Sequence, residues 1–156
     1  MSKSSKKENK CEYQIVRESL EMSRADVEDA TNGALSASRL DKIENNNLAA
    51  RPEDIVLMAK VYNEPRLCNY YCAHECEIGK INVPSVDTVH DLPQITMKLL
   101  SNLNSLNNDK ERIIDIAADG DISEDERKDF EIFQKHLSEM SLAIEALRIW
   151  ANKRLS

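Results

Sequence analysis

From Tyr13 to about Cys72, apolar positions recur at helical spacing in short bursts broken by polar punctuation. Tyr13, Val16 and Leu20 mark one stripe, Val27 and Ala30 a second, and Leu40 and Ile43 a third. Ile55, Met58, Ala59 and Tyr62 mark a fourth, and a fifth helix is expected after Pro65. The punctuation has the chemistry of helix ends. Ser23 followed by Asp26 resembles a capping box, Asn32-Gly33 is a stop signal, and Ser36 can cap the third helix, which Asn45-Asn46-Asn47 ends. Pro52 suits a first helical turn, where its missing N–H costs nothing.

The second half reads differently. Residues 77–94 hold Pro84 and Pro93 and show no helical period, so residues 77–90 are expected to form a linker between a domain at 11–76 and a second region at 91–156. Beyond it, Ile95, Leu99, Leu103, Leu106, Ile113 and Ala117 line one long helix. After Asp119-Gly120-Asp121 and a capping box at Ser123 and Glu126, a second helix carries Phe130, Phe133, Leu137, Met140, Ile144, Leu147 and Ala151 at alternating spacings of three and four, a heptad seam. The expected fold is all-α, with five short helices followed by a long antiparallel helical hairpin. Each hairpin helix buries only one stripe, so the hairpin is expected to pack on the first domain or, in preference, on a second copy as a four-helix bundle, giving a homodimer.

Composition agrees with helices: Gly occurs 3 times and Pro 4 times, while 41% of residues are hydrophobic, enough for a core. No apolar run approaches the roughly 20 residues of a membrane span, and the Lys-rich start lacks a secretory apolar stretch, so a cytoplasmic protein with no membrane partner is expected. Residues 1–10 read as a flexible basic tail. The net charge of -7 argues against nucleic-acid binding by the whole surface. Its distribution matters more, because residues 1–66 are near neutral, with 11 basic against 12 acidic, and the acid lies mostly beyond them.

Three segments taken together, Ile15-Val16-Arg17-Glu18, Met22-Ser23-Arg24-Ala25-Asp26-Val27 and Leu35 through Asn45, with the continuation Pro52 to Tyr62, resemble the Xre or lambda-repressor-like helix-turn-helix family of transcriptional regulators. The nearest likeness is Ser38-Arg39-Leu40-Asp41-Lys42-Ile43-Glu44-Asn45, similar to that family's recognition helix. The resemblance implies a sequence-specific regulator that binds double-stranded DNA through a recognition helix at about Ser36–Asn45. By it, Ala37, Ser38 and Lys42 would face base edges, Arg39 would reach bases or phosphate, Ser36 would open the helix beside them, and Arg24 would sit at the DNA backbone. Asp41 and Glu28 lie near the same face, where an unpaired carboxylate repels phosphate. The alternative is a non-enzymatic protein-interaction module on the same scaffold.

Cys68, Cys72, His74 and Cys76 place four soft ligands within nine residues, the donor set of a tetrahedral zinc or redox-sensing site. Buried thiols beside Tyr70 and Tyr71 in a reducing compartment, and disulfides, are the other readings. Residues 115–126 carry part of a calcium-loop pattern but have Ala117 at a ligand position, and a helix stop, Gly turn and capping box account for them. No histidine has a partner in a recognisable catalytic motif and no Gly-rich phosphate loop occurs, so no enzymatic activity is expected.

Overall fold

The computed structural model describes residues 10–118 and 120–155, and all regular structure among them is α-helical. The elements are α1 (Glu12–Ser19), α2 (Arg24–Ala30), α3 (Ala37–Glu44), α4 (Pro52–Val61), α5 (Arg66–His74), α6 (Glu77–Asn82), α7 (Leu92–Ala117) and α8 (Arg127–Leu155). No helix among the described residues is long and apolar enough to cross a membrane. The expected basic tail lies, over residues 1–9, outside the described residues. The chain divides into two compact units, residues 1–83 and 84–156.

In the first unit, short polar side chains set the helix boundaries. Ser23 accepts from the Asp26 amide at 3.1 Å while the Asp26 carboxylate accepts from the Ser23 amide at 2.6 Å, a reciprocal capping box at the start of α2. Ser36 accepts from the Arg39 amide at 3.2 Å, and Pro52 opens α4. Asn32, Asn46 and Asn63, all at positive φ, lie just past the ends of α2, α3 and α4, a backbone conformation that Asn tolerates better than bulkier residues. Leu35, Leu40, Ile55, Met58, Leu67 and Val27 are fully buried and form the centre of the core, which Tyr13, Ile43 and Tyr62 extend. Burying each aliphatic side chain contributes roughly 1.5–3 kcal/mol.

Part of the expected linker is helical. Residues 77–82 form α6, packed on α5 so closely that a Cβ on Gly79 would lie 2.0 Å from the Cys72 carbonyl oxygen. Hydrophobic periodicity could not find this helix, because its contact is made by backbone at a glycine while Ile78 and Ile81 stay exposed.

In the second unit, α7 and α8 run alongside one another in opposite directions: Asp109 pairs with His136 and Arg112 with Asp129. Residues of α8 that pair with α7 or line the spaces beside it include the strip Asp129, Ile132, His136, Glu139, Ala143 and Ala146. This strip also alternates three and four, but one residue earlier than the seam read from the sequence. Of that seam, Leu137 and Ile144 are exposed by 45% and 47% while Phe130, Phe133, Met140, Leu147 and Ala151 are half-buried; in the neighbouring strip Ala143 is buried and Ile132 is exposed by 43%. Asp129 and His136, which pair with α7, carry no hydrophobic signal in the sequence.

Candidate nucleic-acid interface

Residues Arg24 to Glu44 form two helices joined by a turn, and α3 carries most of the residues singled out for DNA. Its inward face is fixed by Leu40, Ile43 and Glu44, all at or below 3% exposure. A buried carboxylate is tolerated only when paired and hydrogen-bonded. Glu44 is held on both oxygens by Arg17 of α1, Nε to Oε1 at 2.7 Å and Nη2 to Oε2 at 2.8 Å, and by Arg24 Nε at 2.7 Å. Arg17, itself 4% exposed, also donates from Nη1 to the Met22 carbonyl at 2.6 Å. Its guanidinium pKa is raised by the Glu44 hydrogen bonds, against the opposing effect of burial. One carboxylate thus joins α1, α2 and α3.

Both arginines expected at DNA have protein partners. Arg24 spans Glu44 and Asp41, the latter at 2.9 Å from its Nη1. Arg39 forks onto Asp54 of α4, Nε to Oδ1 at 2.9 Å and Nη2 to Oδ2 at 2.6 Å. Asp54 also accepts the Arg51 amide at 2.8 Å. Burial pushes the Asp54 carboxyl upward, but Arg39 and the Arg51 amide outweigh it and hold it below its ordinary value. The two pairs differ in exposure. Arg24 and Asp41 side chains are 31% and 48% exposed, while Asp54 is 8% exposed beneath Arg39.

The start of α3 is likewise occupied. Glu28 accepts the Ala37 amide at 2.9 Å, so the carboxylate expected to repel phosphate is turned onto a helix N-terminus, and Ser36 is spent as the N-cap. Ser38 and Lys42, one turn apart, remain exposed on the outer face. Of the six residues singled out, these two point to solvent, Ser36, Arg24 and Arg39 are engaged within the unit, and Ala37 is half-buried. Sequence reading missed the Arg17–Glu44 pair, although its signal was present: Arg17 follows Tyr13 by one turn on the apolar side of α1, and Glu44 adjoins Ile43.

The cysteine and histidine group is not assembled as a ligand set. Among the described residues no three His, Cys, Asp or Glu side chains are placed to hold one metal ion. Cys68 and Cys72 lie one turn apart on α5, but the His74 ring packs on Tyr70 with centroids 4.8 Å apart, and Cys76 lies past the helix end, its amide donating to the Tyr71 carbonyl at 3.0 Å. None of the four cysteines forms a disulfide. Cys11 and Cys68 pack against the core, and burial pushes both thiols up, away from the reactive thiolate. The same corner ties α5 to α1: Tyr13 donates to Glu75 at 2.6 Å, its ring meets Tyr70 edge-on at 5.8 Å, and Arg66 pairs with Glu12. Comparison of the chain with protein-family models, with curated proteins and with solved structures gives no match.

Proposed function

We propose that the chain is a sequence-specific regulator of the Xre type that binds double-stranded DNA, with α2, the following turn and α3 acting as a helix-turn-helix and α3 as the recognition helix. The observation that carries this reading is the outer face of α3: Ser38 and Lys42 are exposed on a helix whose inner face is anchored by a buried carboxylate and two arginines. A rigid mount for short polar side chains suits contact with base edges. In this reading Lys42 and Ser38 contact DNA directly. Arg24 exchanges its solvent-exposed Asp41 partner for phosphate, an exchange that costs little because exposed ion pairs are weak. Arg39 is a positioning residue, held on a buried carboxylate. The second unit pairs protomers as a helical hairpin, and the exposed Leu137 and Ile144 of the α8 seam support this homodimer role, because heptad spacing suits a partner helix.

The experiment is selection from a pool of randomised duplex DNA by the full chain at about 50 mM and about 200 mM salt. The expected result is a palindromic site with affinity that falls with salt. Lys42→Ala should weaken that complex about tenfold and flatten its salt dependence by about one phosphate contact, leaving thermal stability unchanged. Absence of enrichment at the lower salt would favour the second reading, a non-enzymatic protein-interaction module. That reading draws on the compensation of both arginines by Asp41, Glu44 and Asp54.

A further inference from the structure

Within the second unit, the segment 85–90, the first turns of α7 and the middle of α8 surround a half-open cavity of about 510 Å³. That volume falls in the range of small-molecule sites, about 300–1,000 Å³. The floor is apolar, made by the buried Ile95 and Ala143 and continued by Ala146. The rim is polar and carries both signs. Lys98 and Asn102 lie one turn apart on α7, Glu139 comes from α8, and His90 is half-buried at the side. Among the described residues, the side chains of Lys98, Asn102 and His90 have no ion pair or hydrogen bond, and the ion pair of Glu139 is a 3.9 Å contact with Lys135 on its own helix. Asp87 accepts from the Ser85 hydroxyl at 2.8 Å.

The other end of the same helix pair gives the contrast. There, polar residues on the contact strips meet across the helices, Asp109 with His136 at 2.6 Å and Arg112 with Asp129 at 2.6 Å. Around the cavity the corresponding groups line a void without closing it. An anionic guest would satisfy Lys98 and be repelled by Glu139 and Asp87, whereas a cationic guest would satisfy the carboxylates and be repelled by Lys98. A guest carrying both charges satisfies both.

We propose that this cavity binds a small zwitterion with an apolar body, of the size of a hydrophobic dipeptide: its carboxylate meets Lys98 and Asn102, its ammonium meets Glu139, and its body rests on Ile95, Ala143 and Ala146. The site stands independently of any binding of DNA by the first unit. The test is calorimetric titration of the full chain with leucyl-phenylalanine, its N-acetyl form and its C-terminal amide. The unmodified dipeptide should bind, and each blocked form should bind about tenfold more weakly, the loss of one charge-assisted contact. Lys98→Met should weaken the unmodified dipeptide about tenfold and leave the amide unaffected, while Glu139→Gln should do the same and leave the N-acetyl form unaffected. Both substituted side chains are exposed, so the fold survives, as a thermal melt of each variant checks. No binding of the unmodified dipeptide, equal binding of all three forms, or indifference to both substitutions would overturn the assignment.

Discussion

Glu44 in the first unit and Asp109 in the second each face a basic group from another helix, yet Glu44 is 1% exposed and shared by two arginines, whereas the Asp109 side chain is 20% exposed beside a single histidine. Helix number explains the contrast. Several short helices around one core can close over a carboxylate and supply all its partners, so the charge becomes a structural bolt. Two long helices cover only one face of each other, so their polar contacts stay at the edge of water and apolar residues such as Leu103 and Leu137, 53% and 45% exposed, remain outside. Specific buried polar geometry therefore belongs to the first unit, and accessible surface to the second.

The sharpest way to break this contrast is to remove one member of the buried cluster. Glu44→Ala leaves Arg17 buried without its partner and should destabilise the first unit by about 3–5 kcal/mol in urea denaturation, while Asp109→Ala should have a much smaller effect on the second. A comparable effect on the two would show that burial does not separate them.

Apolar truncation comes next. Leu40→Ala, at a fully buried site, should cost about 2–5 kcal/mol, whereas Leu103→Ala on the exposed side of α7 should stay within about 0.5 kcal/mol, read by thermal denaturation. A large loss at Leu103 would mean that a second copy covers this face in solution, which oligomer size at the same concentration would reveal.

The smallest effect is in pH. The native Asp54 carboxyl lies below its unfolded value, so the Arg39–Asp54 pair contributes fully above the ordinary aspartate range, about pH 4, and its contribution is lost as pH falls through the lowered native value. The stability difference between the wild type and Asp54→Asn should therefore be constant near neutrality and shrink below about pH 4. A difference that stays constant down to pH 2 would remove the ionic part of this pair.

Helix starts and stops were written locally. Ser23 with Asp26, Ser36 and Pro52 act within a few residues of themselves, and the caps they form can be read without knowing what the helices pack against. The core residues Leu40, Ile43, Ile55 and Met58 were legible for the same reason, because helical period places them on one side. The all-α class followed from these signals and from the scarcity of Gly and Pro.

Three features were decided only by tertiary structure. α6 depends on the absence of a side chain at Gly79, where one backbone lies against another, and hydrophobic pattern is blind to an atom that is missing. The α8 residues that pair with α7, Asp129 and His136, are polar and each precede a residue of the apolar seam, so hydrophobic pattern does not mark them. At the candidate site the types and positions of Arg24, Arg39 and Lys42 were plain in the sequence, but not their engagement: whether an arginine is exposed or clasped depends on a carboxylate 15 to 27 positions away, as with Arg39 and Asp54 or Arg17 and Glu44. Sequence fixes which charges exist and which helix carries them; folding brings distant charges together and so decides which of them are left to meet anything else.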